Sequence, residues 1–261
     1  MKADYKNWVP KGMILGFGAG CIAAFAVLAA CRMLMAEGTL RTALLILSAA
    51  SAVILLAATA WLAYMHNMFS YNGKRQLSRR IVQGTADYVS IPDGGVGLDV
   101  GCGSGALTIA CAKRNPQARM IGIDRWGKEY ASFNKPLCER NAQAEGVSNV
   151  QFQKGNALKL DFPDETFDAV TSNYVYHNIV GANKQDCLRE TLRVLKKGGC
   201  FALHDIMSPL RYGDIEAFAQ QLRDEGYAHV ELIDTTHGMF MSRREALMTE
   251  LSGSMLLAGR K

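Results

Sequence analysis

Two long apolar segments near the start of the chain constrain its fold more than any other feature. Residues 13–34 contain one charged side chain, Arg32, and residues 43–64 contain none. Each segment is 22 residues long, and a helix of that length crosses the roughly 30 Å hydrocarbon core of a bilayer. Because only residues 35–42 separate them, the pattern predicts two transmembrane helices in an antiparallel hairpin within residues 1–70.

A signal sequence, a lipoprotein anchor and a pair of soluble helices all fit these segments less well. A secretory signal has a shorter apolar core and no second span. Residues 28–31 resemble a lipoprotein cleavage box, but cleavage there would export the domain that follows. Two buried helices in a soluble protein are a further alternative, although uncharged helices of this length are unusual there. The four-residue spacing of Gly12, Gly16 and Gly20 would let helices approach closely, within one hairpin or between copies in an oligomer.

Basic residues are concentrated at the start of the chain. Residues 1–80 contain nine Lys or Arg and two acidic residues, whereas residues 81–261 contain twenty and twenty-two. This distribution is typical of the flanks of membrane spans, and it disfavours a nucleic-acid partner, which would need a basic patch on the folded domain. The excess lies before the first span and after the second, which predicts that both termini and the downstream domain are cytoplasmic. The flanking residues are Lys2, Lys6, Lys11, Lys74, Arg75, Arg79 and Arg80, against Arg32 and Arg41 near the linker.

The seven cysteines indicate neither a metal site nor a disulfide framework, because no two of them form a C-x-x-C pair. We expect reduced thiols in a cytoplasmic domain.

From residue 96 onward, short apolar strands alternate with helices. The predicted strands are 96–100, 120–123, 150–153, 167–173, 201–205, 230–235 and 255–260, and the predicted helices are 104–113, 128–145, 184–195 and 214–225. This alternation predicts an α/β domain over residues 96–261, with a mainly parallel sheet covered by helices on both faces.

A glycine-rich turn joins the first of these strands to the first helix. It reads Asp99-Val100-Gly101-Cys102-Gly103-Ser104-Gly105, and Asp124 ends the next strand. Glycines in this position let a ligand approach the backbone, and a carboxylate after the second strand can accept hydrogen bonds from both hydroxyls of a ribose. The turn can also be read as G-x-G-x-x-A ending at Ala106, which would suit a dinucleotide. The acidic Asp99 before the glycines and the two final strands favour a different ligand.

These residues resemble the class I S-adenosylmethionine-dependent methyltransferases over roughly residues 75–261. The resemblance implies a Rossmann-like seven-stranded sheet in the order 3-2-1-4-5-7-6, preceded here by the two transmembrane helices. It also implies S-adenosyl-L-methionine as the cofactor. The turn would hold its methionine part and Asp124 its ribose, while Asn156 stands where the family often has an Asp that binds the adenine amino group. The implied cofactor-binding residues are Asp99, Gly101, Cys102, Gly103, Gly105, Asp124, Arg125, Asn156, Ala157 and Asn173.

Polar side chains follow the predicted fourth strand, where acceptor and cofactor would meet at the carboxyl edge of the sheet. Among them, His177 is a candidate general base and Tyr174 a second candidate catalytic residue. The alternative for His177 is a side chain that lines the pocket or orients a loop. His204 and Asp205 end the fifth strand on the same edge, where they would face substrate or bond the loop.

The connector between the hairpin and the domain, residues 71–95, has basic residues interleaved with Leu77, Ile81 and Val82. This pattern predicts an amphipathic helix that lies on the membrane surface and covers the pocket; the alternative is a solvated basic linker.

The favoured function is a membrane-anchored methyltransferase acting on a small, lipophilic acceptor. A dinucleotide-dependent oxidoreductase and a non-catalytic cofactor-binding membrane protein are the alternatives.

Overall fold

The computed structural model describes residues 2–127 and 132–261. The chain divides into two compact units. One is Asn7–Gln76, and the other joins the residues up to Lys6 with Leu77–Lys261. The predicted connector is thus divided, because most of it, from Leu77 onward, belongs to the larger unit.

The smaller unit contains two antiparallel helices, α1 (Lys11–Leu34) and α2 (Thr39–Phe69). Both are long and apolar enough to cross a membrane. Helix α2 continues five residues beyond the predicted end at 64, since nothing in Met65–Phe69 opposes a helix until the turn at Ser70. Both helices carry large apolar side chains on the side that faces away from the other helix. Examples that are each more than 60% exposed are Leu15, Ile22, Leu47 and Ile54.

Only part of the predicted glycine stripe lies at the contact between these two helices. A Cβ on Gly20 would lie 3.5 Å from Leu55 Cδ1, and a Cβ on Gly18 would lie 3.8 Å from Thr59 Cγ2. By contrast, a Cβ on Gly12 or Gly16 would meet nothing within 4 Å. Gly18 and Gly20 therefore lie at the contact, at distances that a Cβ would also accept, while Gly12 and Gly16 are on the outer surface of the hairpin.

The larger unit is built on one seven-stranded sheet in the order β3-β2-β1-β4-β5-β7-β6. Strand β7 is antiparallel to β5 and β6, and the other neighbouring pairs are parallel. This confirms the predicted sheet. The strands are β1 (Val96–Val100), β2 (Arg119–Asp124), β3 (Val150–Lys154), β4 (Phe167–Asn173), β5 (Leu195–Ile206), β6 (Ala228–Asp234) and β7 (Ser254–Arg260).

Helices cover both faces of this sheet. They are α3 (Leu77–Ala86), α4 (Ala106–Arg114), α5 (Lys135–Ala144), α6 (Lys184–Arg193), α7 (Pro209–Tyr212), α8 (Ile215–Asp224) and α9 (Arg243–Met248). Helix α5 begins at Lys135, because the Asn134 side chain caps it at Leu137 N and Pro136 fits only the first turn. The predicted start of this helix, at 128, falls on residues that the structure does not describe. Residues 128–131 lie outside the described part of the chain.

Helix α3 turns its apolar side to the protein and not to a lipid surface. Leu77 and Ile81 are 0% exposed, and Val82 packs in the apolar cluster on one face of the sheet. The prediction that this apolar side lies on the membrane is therefore wrong. Arg79 and Arg80 are on the exposed side of the same helix.

Strand β5 begins earlier than predicted and contains a bulge. Phe167 pairs with Leu195, whereas Ala169 pairs with Cys200, so the register shifts across residues 196–199. Gly198 takes a φ of +78° within this segment, a conformation that glycine adopts at little cost. The Lys-Lys-Gly-Gly turn after α6 is therefore part of the strand.

Candidate functional site

The glycine-rich turn lies between β1 and α4 at the carboxyl edge of the sheet. Gly101, Gly103 and Gly105 all have positive φ angles, of +75°, +54° and +81°. Helix α4 begins at Ala106 and not at the predicted 104, because Gly105 is left-handed. Gly101 N and Cys102 N both donate to Ile123 O, at 2.8 and 2.9 Å, which ties the turn to the end of β2.

The three glycines have different surroundings. A Cβ on Gly101 would lie 2.3 Å from Val175 Cγ2, and one on Gly105 would lie 3.0 Å from the Phe152 ring. At Gly103 the nearest atom would be Phe133 Cδ2, at 4.0 Å. Gly101 and Gly105 are therefore required by packing, whereas no residue of the described ranges fills the space at the side-chain position of Gly103. This space is what a ligand lying against the turn would need.

Asp99 lies beneath the turn and is 1% exposed. Its Oδ2 accepts from Thr108 Oγ1 at 2.6 Å, and its Oδ1 accepts from Thr171 Oγ1 at 3.0 Å. Burial raises the pKa of the Asp99 carboxyl to about 6, against the opposing effect of these two hydroxyls. Asp99 therefore joins β1 to α4 and β4, and the geometry favours ordering of the turn over direct contact with a cofactor amino group.

Asp124 is placed as predicted at the end of β2, next to the turn. Its Oδ2 accepts from Gly103 N at 2.9 Å, and its Oδ1 accepts from Trp126 N at 2.7 Å. Each carboxylate oxygen has a second lone pair, so two ribose hydroxyls can still be bound. The neighbouring Arg125 side chain is exposed.

Trp126 is a site residue that sequence reasoning missed. Its indole Nε1 donates to Gly103 O at 3.0 Å, and its backbone has a φ of +45°. The Gly103 carbonyl is thus held by Trp126, and the Gly103 N–H is held by Asp124. The available signal for Trp126 was its position two residues after Asp124, the acidic end of β2.

The segment after β3 approaches the same edge. Gly155 N donates to Asp124 O at 3.0 Å, which places Asn156 and Ala157 beside the end of β2. The Asn156 side chain is exposed, and its Oδ1 accepts from Leu158 N at 3.0 Å. One lone pair of that oxygen remains for an adenine amino group. Ala157 packs against the apolar cluster on the other face of the sheet.

Asn173 and Tyr174 at the end of β4 are held by buried partners. Asn173 Oδ1 bonds His204 Nδ1 at 2.8 Å, and burial lowers the pKa of His204 to about 3, so this ring is neutral. The Tyr174 hydroxyl bonds Ser254 Oγ at 2.7 Å, and burial raises the pKa of Tyr174 above its usual range. A buried tyrosine that resists ionisation is a poor base, so the geometry favours a structural role for Tyr174 over the predicted catalytic one.

His177 lies in a 3₁₀ turn, Tyr176–Asn178, just beyond β4. Its Nδ1 is in close contact with Asp205 Oδ1, and its backbone N donates to Asp205 Oδ2 at 3.1 Å. The imidazole is 14% exposed. Val175, two residues before His177, packs on Gly101. His177 therefore lies close to the glycine-rich turn.

Helix α3 reaches this region through an aromatic side chain that sequence reasoning did not single out. A Cβ on Gly84 would lie 2.2 Å from the Phe240 ring, so helix and ring are in direct contact. The Phe240 ring also packs edge-on against His204, with centroids 5.3 Å apart. This arrangement is compatible with the predicted covering role of α3.

A family model described as "Methyltransferase domain" matches residues 91–247. The chain is 31% identical to the 2-phytyl-1,4-naphtoquinone methyltransferase of Thermosynechococcus vestitus over 139 residues, which are 53% of this chain and 57% of that protein. It is 31% identical to the demethylmenaquinone methyltransferase of Geobacillus stearothermophilus over 126 residues, 48% of this chain and 51% of that protein. The chain spans about half the length of the curated relatives it matches.

Among solved structures, the [4+2]-cyclase SpnF superposes with a TM-score of 0.54 at 21% sequence identity, covering 72% of this chain and 82% of that one. This likeness concerns the fold alone. Because that neighbour is named as a cyclase, the fold by itself does not define the reaction.

Proposed function

Because the chain belongs to the methyltransferase domain family, whose model it matches over residues 91–247, we propose that it transfers a methyl group from S-adenosylmethionine to a small lipophilic acceptor while anchored in a membrane. The observation that carries the proposal is the bare backbone of Gly103 facing open space beside Asp124. The same edge of the sheet presents His177. Incubation of membrane extract with a radioactive methyl donor, followed by identification of the labelled product, tests it.

The residues at the turn fit this cofactor. The methionine part would lie against Gly103, the ribose would bind Asp124, and the adenine amino group would bind Asn156. When bound, the cofactor supplies a methyl group already activated by its positive sulfur. The protein has to hold the acceptor in line with that methyl group and exclude water.

Replacing Asp124 with Ala should weaken S-adenosylmethionine binding by about 1–3 kcal/mol, the usual effect of removing a partner from buried hydrogen bonds. Titration calorimetry measures this change. Asp93→Ala is the matched control, because Asp93 is an exposed carboxylate before β1, at the opposite edge of the sheet. Equal affinities for the wild-type chain and the Asp124 variant would contradict the ribose assignment.

The hairpin supports a membrane anchor and an acceptor that partitions into lipid. Its surface is apolar on the sides that the other helix does not cover. Two relatives are named for quinone acceptors, one of them carrying a phytyl chain. An enzyme confined to the bilayer meets such an acceptor where it is concentrated, and Arg79 and Arg80 would each add about 1 kcal/mol against anionic headgroups.

The N-terminal residues support the predicted sidedness of the hairpin. Asp4 N donates to Asn141 Oδ1 at 2.8 Å, and Asn141 Nδ2 donates to Asp4 O at 3.1 Å. Asn141 lies in α5, so the start of the chain is on the same side as the methyltransferase domain. Two spans between Asp4 and that domain are consistent with this arrangement, and the basic flanks favour the cytoplasmic side for both.

Removal of the hairpin should slow methylation of a membrane acceptor at least tenfold and change the rate on a water-soluble analogue less than threefold. The assay compares a phytyl-substituted naphthohydroquinone in vesicles with its short-chain analogue. One truncated chain starts at Tyr71, and a second keeps residues 1–6 on a flexible linker, because Asp4 packs on Asn141. Unchanged rates on both acceptors would mean that the hairpin is only a tether.

A further inference from the structure

The carboxylate of Asp205 is 1% exposed and accepts a dense set of hydrogen bonds. Its Oδ1 accepts from Ile206 N at 2.7 Å and contacts His177 Nδ1. Its Oδ2 accepts from His177 N at 3.1 Å and from the Tyr212 hydroxyl at 2.9 Å. Burial alone would raise the pKa of Asp205, but the bonds from His177 and Tyr212 hold it below its ordinary value. The buried group is therefore a carboxylate at neutral pH.

This contact determines which nitrogen of His177 carries the proton. A carboxylate can only accept, so Nδ1 must donate to Asp205. A neutral imidazole has a single N–H, which leaves the lone pair on Nε2. The bond from the His177 backbone N to the same carboxylate sets the position of the residue. The imidazole is 14% exposed, and its Nε2 is not among the buried side-chain atoms that lack a hydrogen-bond partner in the described residues, which leaves this nitrogen to a small molecule.

The same segment lies against the glycine-rich turn. Val175, two residues before His177, packs so closely on Gly101 that a Cβ there would lie 2.3 Å from Val175 Cγ2. Both follow strand ends at the carboxyl edge of the sheet, where ligands of parallel sheets bind. A proton acceptor is therefore held beside the turn proposed to bind the methyl donor.

We propose that Asp205 is the positioning residue that makes His177 a general base, and that the acceptor therefore reacts through a hydroxyl group. This inference rests on the proposed function. The acceptor O–H bond breaks and its proton passes to Nε2, while the oxygen bonds the methyl carbon. The electron pair of the broken S–C bond stays on sulfur, which becomes neutral. Asp205 stays ionised and stabilises the imidazolium. A thiolate or a neutral amine would need no such base.

The protonated nitrogen of His177 can be measured without any substrate. The full chain, labelled with ¹⁵N-histidine and held in detergent micelles at pH 8, should show His177 with a proton on Nδ1 and a lone pair on Nε2. The His177→Gln variant assigns the signal among the five histidines. In Asp205→Asn the proton should move to Nε2, because an amide can donate to Nδ1. Asp99→Asn, an equally buried exchange at 1% exposure, should leave the tautomer unchanged.

A wild-type ring protonated at Nε2 would overturn the proposal, and so would the same tautomer in wild type and Asp205→Asn. If the Asp205 variant does not fold, the wild-type spectrum still tests which nitrogen of His177 carries the proton.

Turnover adds a second readout with two probes, a short-chain hydroquinone and an aryl thiol. Asp205→Asn should lower kcat on the hydroquinone at least tenfold and change the rate on the thiol less than twofold. Equal losses on both probes would mean a structural role. If the wild-type chain methylates neither probe, the proposed function fails for this acceptor class. The tautomer of His177 then still tests whether Asp205 orients the imidazole.

Discussion

Calorimetry on the Gly103→Val variant should show no binding of S-adenosylmethionine at concentrations that saturate the wild-type chain. Gly103 has a φ of +54°, and among the described residues no atom lies closer than 4.0 Å to the position of its missing Cβ. A branched side chain there would fill the space proposed for the cofactor and would force the backbone out of a conformation that favours glycine. Both effects act on the same ligand contact, so we expect loss of binding and not a gradual weakening.

The matched control for this variant is Gly146→Val. Gly146 also has a positive φ, of +69°, and also faces open space, but it follows α5 and is not part of the turn. It therefore suffers the same backbone strain without obstructing the site. If both variants bind the cofactor normally, or if both lose it together with their thermal stability, the assignment of Gly103 as the cofactor cradle is wrong.

The His177→Ala variant should lose about a hundredfold or more in kcat on a hydroxyl acceptor, because general base catalysis contributes on that scale. Cofactor affinity should be nearly unchanged, since the side chain is bonded to Asp205 and not to the turn. Single-turnover kinetics separates the chemical step from binding and product release. The control is His229→Ala, whose exposed side chain lies at the start of β6, at the opposite edge of the sheet. A rate within twofold of wild type would leave His177 as pocket lining.

The strands were predictable because buried parallel strands are short apolar runs between polar turns. Val96–Val100 and Phe167–Asn173 have the predicted bounds. The order of the sheet followed from the family resemblance and not from the pattern. Helix starts were harder, because apolar periodicity continues across residues that are not helical. Pro136 and the Asn134 cap mark the true start of α5.

The apolar side of α3 shows a different limit of the sequence. An amphipathic pattern of ten residues indicates that one side is covered, but the same pattern serves a lipid surface and a protein core. Here the sheet covers it, with Ile81 at 0% exposure. The decision depends on contacts with residues distant in the chain, such as Phe240, which the local pattern does not contain.

The site was predictable residue by residue only where a backbone conformation or a strand end required it. Glycines at positive φ and Asp124 belong to that class. The roles of His204 and Asp205 were not predictable, although both were noticed at the strand end. Successive strand residues point to opposite faces of a sheet, so one packs against Phe240 and the other bonds His177. The face of the sheet on which the acceptor would bind depends on how all the strands and helices pack, and the residues of one strand do not determine it.

The bond between Asp4 and Asn141 has a consequence for the order in which the chain is assembled. Asp4 leaves the ribosome long before its partner, which is made 137 residues later. Asn141 Nδ2 also donates to Ser104 O in the glycine-rich turn, at 3.0 Å. This support of the turn therefore becomes available only after translation of α5. Until Asp4 reaches α5, the Asn141 side chain that supports the turn lacks two of its partners, Asp4 N and Asp4 O.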